Sequence, residues 1–142
     1  MINVTRCGYC CDLCKAYAPN IKNNDQREEL SKVWKEYYDL DIPVEDIYCD
    51  GCRCEKEDRK LIDTSCPVRK CVIDEKLNHC GDCSKYPCST FNERKGLSAS
   101  EAEEKLEQNY DASKYNEYLL AYDNKSRIDE YKRNNLLLIT KA

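Results

Sequence analysis

Apolar positions along this chain fall into short periodic stripes separated by polar, turn-rich stretches. Leu30, Val33, Trp34 and Tyr37 recur at i, i+3, i+4 and i+7, which predicts a helix over residues 25–39 with one buried face. Asp25 is placed to cap that helix, and Glu28 follows at capping-box spacing. The stripe should pack against the cysteine-rich segments, with Trp34 in the core rather than facing a ligand. A second helix is predicted over residues 67–77. Val68, Cys71, Val72 and Glu75 share one side of it, with Ile73 and Leu77 nearby. It should yield near Asn78, because Gly81 and Pro87 punctuate the next stretch of chain.

The C-terminal part carries two further patterns. Ser98 and Glu101 form a capping-box pair that predicts a helix over about 99–109. Tyr115, Tyr118, Leu119 and Tyr122 make another stripe at helical spacing, and Ile128 and Tyr131 extend it after a break near Asn124. These tyrosines should cover the metal-bearing part with their hydroxyls reaching water, the alternative being an exposed recognition surface. Whether the terminal run Leu136–Ile139 docks within the chain or on another subunit is left open by the pattern. The predicted architecture is mainly α: a small helix-rich domain with irregular cysteine-rich metal-binding knuckles and little sheet. Residues 1–95 form the cysteine-rich region, and 96–142 form a helical tail packed on the same domain.

Cysteine changes this picture most. Twelve of the 142 residues are cysteine. They lie in close sets: Cys7, Cys10, Cys11 and Cys14; Cys49, Cys52 and Cys54; Cys66 and Cys71; Cys80, Cys83 and Cys88. Residues 41–47 should be a loop with one short helical turn, leading into the Cys49–Cys52 knuckle. Asp50-Gly51 supplies a turn between those two sulfurs. Phe, Trp and Met occur once each, so the supply of large apolar groups is thin, and a cross-link or metal becomes more necessary. The formal net charge is -4. Two ions each bound by four thiolates would bring it to about -8, which argues against nucleic-acid binding. Arg69-Lys70 and Arg94-Lys95 are short basic pairs suited to a solvated surface.

The N-terminus lacks the basic and apolar pattern of a signal peptide, and no apolar run is long enough to cross a membrane. A cytoplasmic location is therefore expected, where close-spaced cysteines are metal ligands more often than disulfides. Two cysteines separated by two residues can aim both sulfurs at one tetrahedral ion. The chain has four such pairs: Cys7 with Cys10, Cys11 with Cys14, Cys49 with Cys52, and Cys80 with Cys83. The preferred first site takes Cys11, Cys14, Cys49 and Cys52. The second draws four ligands from Cys66, Cys71, Cys80, Cys83 and Cys88. Alternatives stay open: Cys7 replaces a ligand of the first site, or it joins a third site with Cys10 and Cys54. Two zinc ions are the expected cofactors. An iron–sulfur cluster is the alternative, although no spacing here reproduces the bacterial ferredoxin run. His79, the single histidine, could serve as a zinc ligand beside Cys80 but is read as an ordinary helix-terminal or surface residue.

Several short signatures in order resemble the DUF3795 family of cysteine-rich bacterial and archaeal proteins. They are Cys7-Gly8 with Cys11 and Cys14, then Cys49-Asp50-Gly51-Cys52-Arg53, then Cys66 ahead of Arg69-Lys70-Cys71, then Cys80-Gly81-Asp82-Cys83 and Tyr86-Pro87-Cys88. The resemblance covers roughly residues 5–92. It implies metal binding through ten cysteines: Cys7, Cys11, Cys14, Cys49, Cys52, Cys66, Cys71, Cys80, Cys83 and Cys88. Cys10 and Cys54 stand outside its pattern. It implies no established reaction. The expected function is a zinc-stabilised structural or protein-interaction module, with an unknown protein partner and no nucleic acid or membrane. The alternatives are an iron–sulfur or thiol-based redox protein, and an enzyme using a surplus thiol such as Cys10 or Cys54. No Cys–His–acid constellation supports the last.

Overall fold

The computed structural model describes residues 4–141, with side chains through residue 134. The terminal run Leu136–Ile139, whose docking the sequence leaves open, has its side chains outside the described residues. Helices α1 (Ala18–Asn23), α2 (Arg27–Tyr38), α3 (Pro67–Asp74), α4 (Ser89–Asn92), α5 (Ala99–Leu106), α6 (Ala112–Lys114) and α7 (Asn124–Lys141) are joined by turns and irregular segments. Among the described residues there is no strand, only isolated bridges from Val4 to Cys10 and from Tyr17 to Cys49.

Helix α2 buries the stripe read from the sequence: Leu30, Val33, Trp34 and Tyr37 are all in the core. Its start differs from expectation. Asp25 does not cap the helix; its carboxylate accepts from the Arg27 backbone N–H at 3.1 Å and pairs with the Arg27 guanidinium. Gln26 occupies the cap position without a side-chain bond to the helix backbone; its side chain instead accepts from the Tyr118 hydroxyl at 2.9 Å. A salt-bridged Asx turn has thus replaced the capping box. Asp39 ends the helix in the left-handed region, φ 53°. Pro67 begins α3, where its missing N–H is harmless. That helix stops at Asp74, shorter than predicted, because Lys76 turns left-handed and the Leu77 N–H returns to the Val72 carbonyl.

Ser98 and Glu101 make the full capping box: each side chain accepts from the other's backbone N–H, at 3.2 and 3.0 Å. The tyrosine stripe C-terminal to it is not one regular helix. Residues Ala112–Lys114 are α-helical, Tyr115–Leu119 form a π turn, and Leu120–Tyr122 a 3-10 turn. The winding changes, yet Tyr115, Leu119 and Tyr122 all stay buried. They join Leu30, Val33, Trp34, Tyr37 and Ile47 in one core cluster. A second cluster gathers Val68, Val72, Phe91 and Ile128 with Cys7 and Cys80.

Of the tail tyrosines, the buried Tyr115 and Tyr122 do not turn their hydroxyls to water as expected, and tyrosines elsewhere in the chain also find internal partners. Tyr115 donates to the Leu97 carbonyl at 2.8 Å, and Tyr9 to the Arg94 carbonyl at 2.6 Å. Tyr38 accepts from the Leu97 N–H, and Tyr86 donates to Asp129. With a single Phe and a single Trp to fill the interior, tyrosine provides the aromatic volume. Its hydroxyl then has to find a buried partner.

Asn124, the first residue of α7, is fully buried and fastens three segments. Its amide nitrogen donates to the carbonyls of Cys7 (2.9 Å) and Arg94 (3.1 Å), and its oxygen accepts from the Gly96 N–H (3.0 Å). Gly96 has no room for a side chain: a Cβ there would lie 1.8 Å from the Tyr122 carbonyl oxygen. Replacing Asn124 with alanine strands three buried polar groups. Asn124→Ala should therefore lower unfolding free energy by about 2–4 kcal/mol. Denaturant unfolding of the two proteins side by side measures this. A loss within about 0.5 kcal/mol would show that the three segments hold without the amide.

Candidate functional site: two sulfur-lined cavities

The first knuckle, Cys11 to Cys14, is a 3-10 turn closed by the Cys14 N–H on the Cys11 carbonyl. Asn20 holds it from α1, its amide nitrogen reaching the carbonyls of Cys11, Asp12 and Cys14 at 3.0, 3.2 and 2.7 Å. Cys49 is brought alongside by two backbone bonds: its N–H to Ala16 O at 2.9 Å, and its carbonyl to Ala18 N at 2.8 Å. Gly51, at φ +95°, makes the turn from Cys49 to Cys52 and donates its N–H to the Cys49 sulfur at 3.4 Å. The Arg6 N–H and guanidinium both lie 3.5 Å from the Cys52 sulfur, and the guanidinium also donates to the Cys52 carbonyl.

These turns aim sulfur into one cavity of 130 Å³, lined by Cys7, Cys11, Cys14, Cys49, Cys52 and Cys66. Trp34, Tyr9, Tyr122 and Ile62 supply its apolar walls. Trp34 thus serves the core, as expected, and also fronts the cavity. The Tyr122 hydroxyl lies 3.0 Å from the Cys14 sulfur, and the Thr5 hydroxyl 3.4 Å from that of Cys7. Arg69 also lines the cavity. Its Nη2 donates to the Asp63 carbonyl at 2.8 Å, while its buried Nε has no hydrogen-bond partner.

A second cavity, of 20 Å³, is lined by Cys71 from α3, Cys80 and Cys83 from the third knuckle, and Cys88 at the cap of α4. The Lys85 N–H donates to the Cys83 sulfur at 3.4 Å. The Cys80 N–H reaches the Arg6 carbonyl at 2.9 Å, which ties this knuckle to the first region. Helix α7 covers it: Lys132 donates to the carbonyls of Gly81 (3.1 Å) and Cys83 (3.5 Å), and Tyr131 to the Asp82 carboxylate. His79 Nδ1 accepts from the Gly81 N–H at 2.9 Å, so His79 caps the turn. Cys66, grouped by sequence with the second set, instead lines the first cavity. Cys10 is buried, with its N–H on the Ala121 carbonyl. Cys54 sits in a neighbouring depression beside Tyr17 and Asp50.

All twelve cysteines are free thiols. Burial pushes the Cys11 and Cys80 thiols up to about 12 and Cys7 to about 11, and neighbouring sulfurs push the same way. Among the described residues, no group of three or more His, Cys, Asp or Glu side chains is arranged to hold a metal ion. The knuckles expected from the sequence are thus present as turns whose cysteines line the two cavities, and no metal-binding cluster is formed among the described residues. The physical reason is charge. Protonated thiols have nothing to draw them to a single point, and thiolates alone would repel. The donor chemistry nevertheless fits a soft cation: at least four thiols per cavity, with backbone N–H groups already placed on Cys49, Cys52 and Cys83 to support negative sulfur. No helix among the described residues is long and apolar enough to cross a membrane.

Helices packed around two thiol-lined cavities define a cysteine-rich α-helical domain. The family model for DUF3795, described as a protein of unknown function, matches residues 3–93, and the chain belongs to that family. No curated protein and no solved structure matches the chain. The matched span contains both cavities' cysteines and ends just after α4. Three polar residues that shape the site carry little sequence signal. No spacing points to Asn20 or Asn124, and Arg69 is touched only by the Arg-Lys-Cys signature.

Gly51 gives the site its simplest local test. An alanine there must hold φ +95°, and its Cβ would meet the Tyr17 ring at 3.1 Å. Gly51→Ala should destabilise the domain by about 1–3 kcal/mol, read as a lower denaturation midpoint. An unchanged midpoint would mean that the turn relaxes freely.

Proposed function

We propose that this chain is a domain stabilised by sulfur-bound metal, with a structural zinc ion in the smaller cavity held by Cys71, Cys80, Cys83 and Cys88. The observation that carries this reading is the meeting of four thiols from three separate segments on a space of 20 Å³, with a backbone N–H donor on one of them. Four sulfur ligands fill the tetrahedral preference of zinc and leave no position for a substrate, so the ion would hold structure rather than activate water. The same donor chemistry recurs in the first cavity with Cys11, Cys14, Cys49 and Cys52. Such a domain would present its surface to a protein partner, in a reducing compartment that keeps twelve thiols free.

Cys83→Ser tests the assignment. It should remove about one zinc per chain and reduce the helical circular-dichroism signal with it. Full zinc content with full helicity would exclude Cys83 as a ligand.

Protons give an independent measure. Burial favours the protonated form of the Cys71 and Cys80 thiols, and zinc takes its cysteine ligands as thiolates, so loading an ion must release protons. Zinc added to metal-free reduced protein at neutral pH should release about four protons per ion bound, seen with a pH indicator in weak buffer. Affinity should therefore rise with pH and fall on acidification. Zinc uptake without proton release would place the ion elsewhere.

A further inference from the structure

The two cavities share a donor type and differ in size. The smaller, at 20 Å³, suits one water-sized particle, which needs about 10–15 Å³. The larger, at 130 Å³, approaches the roughly 150 Å³ at which an apolar cavity admits a benzene-sized guest. A zinc ion drawing four sulfurs to about 2.3 Å has no use for that space. The larger cavity also has features the smaller lacks. Cys7 and Cys66 add two thiols to the four from the knuckles. Arg6 places positive charge 3.5 Å from the Cys52 sulfur. Arg69 lines the wall with a buried Nε donor that nothing accepts from.

The guest these features call for has several atoms, binds thiolate, carries net negative charge once bound, and offers a hydrogen-bond acceptor to the buried Arg69 Nε. A carboxylate would satisfy Arg69 and leave the thiols without chemistry. A bare ion would satisfy the thiols and leave Arg69 and most of the volume unused. Sulfide-bridged iron satisfies both, because its sulfur atoms accept hydrogen bonds and its irons take thiolates.

We infer that the larger cavity takes a polynuclear iron–sulfur cluster held by Cys11, Cys14, Cys49 and Cys52, with Arg69 Nε donating to one of its sulfur atoms. This rests on the reading of the knuckle thiols as metal ligands. Binding exchanges four thiol protons, released to water, for four bonds from sulfur to iron. No electron enters or leaves in that step. Cys7 and Cys66 face the cluster without being needed to hold it.

The experiment uses the full chain, purified without oxygen and incubated with equal amounts of ferrous and ferric iron and with sulfide, so that the cluster assembles with no net electron transfer, then desalted. The expected product has a broad visible absorption, iron and acid-labile sulfide in about equal amounts, and about one zinc per chain. Zinc at about two per chain with no labile sulfide would overturn the cluster and leave the metal reading standing. A folded chain that takes up neither zinc nor iron would overturn both. Among variants, Cys49→Ser should lose the visible absorption and keep zinc, whereas Cys66→Ser should keep both. If Cys49→Ser fails to fold, the wild-type measurement still decides. Arg69→Gln removes a positive charge beside the cluster and should shift its reduction potential to more negative values with iron content unchanged. An unchanged potential would overturn the role given to Arg69.

Discussion

Two backbone hydrogen bonds, from Cys49 to Ala16 and from Ala18 to Cys49, set the arrangement on which the rest depends. They close the loop that carries α1 and α2, and they bring the second knuckle to the first. Without that bridge the Cys11–Cys14 turn and the Cys49–Cys52 turn would be separate local features. With it, one side of α2 has a surface to pack against, and Trp34 stands between the core and the sulfur-lined space. The bridge is only one residue wide on each side and lies at no sheet. Its persistence comes from the Asn20 clamp on the first knuckle and from burial of Ala16 and Ile47 beside it.

The interior shows what a chain does when it has little oil. Tyrosine takes the place of phenylalanine in the larger core cluster, beside Leu30 and Leu119, and each tyrosine brings a hydroxyl that has to be satisfied. The partners are loop carbonyls and N–H groups around residues 94–97, in addition to side chains from α7 and the residue before α2. The polar part of the core therefore also fixes the irregular segment between α4 and α5. Asn124 acts on the same segment from the other side, through Arg94 and Gly96. The loops that carry cysteines are thereby tied to helices that carry none.

The features legible in the sequence are those set by local spacing. The α2 stripe needs only a helical period, and the Ser98–Glu101 box needs only two residues three apart; both are present as read. The capping of α2 departs from its spacing because Arg27 competes for the Asp25 carboxylate, a choice decided by side-chain partners. The stripe from Tyr115 to Tyr122 gives the right buried face and the wrong winding. A π turn shifts the helix by a residue to keep Tyr115 and Leu119 inside, and that shift is dictated by the core it meets. Three of the four close pairs, Cys11 with Cys14, Cys49 with Cys52, and Cys80 with Cys83, line a cavity together, whereas Cys10 does not follow Cys7 onto the first. The side on which Cys66 falls is not legible. It precedes α3, and the direction of that helix depends on contacts between distant segments.

The difference between the two sulfur cavities comes from those distant contacts. Around the smaller one, α3, α4 and the 80–83 turn approach closely, and α7 seals the turn through Lys132 and Tyr131. Around the larger one, the walls are aromatic rings that cannot collapse onto the sulfurs. Trp34 and Tyr122 are fixed by α2 and the tail, and Tyr9 is fixed by its bond to Arg94. Packed interiors seldom keep empty room, because each unfilled space forfeits dispersion contacts. A chain short of apolar volume has added reason not to leave one. On the proposed cluster reading, the rigid rings that line the larger cavity and the Arg69 Nε beside it would both serve a guest larger than a single ion.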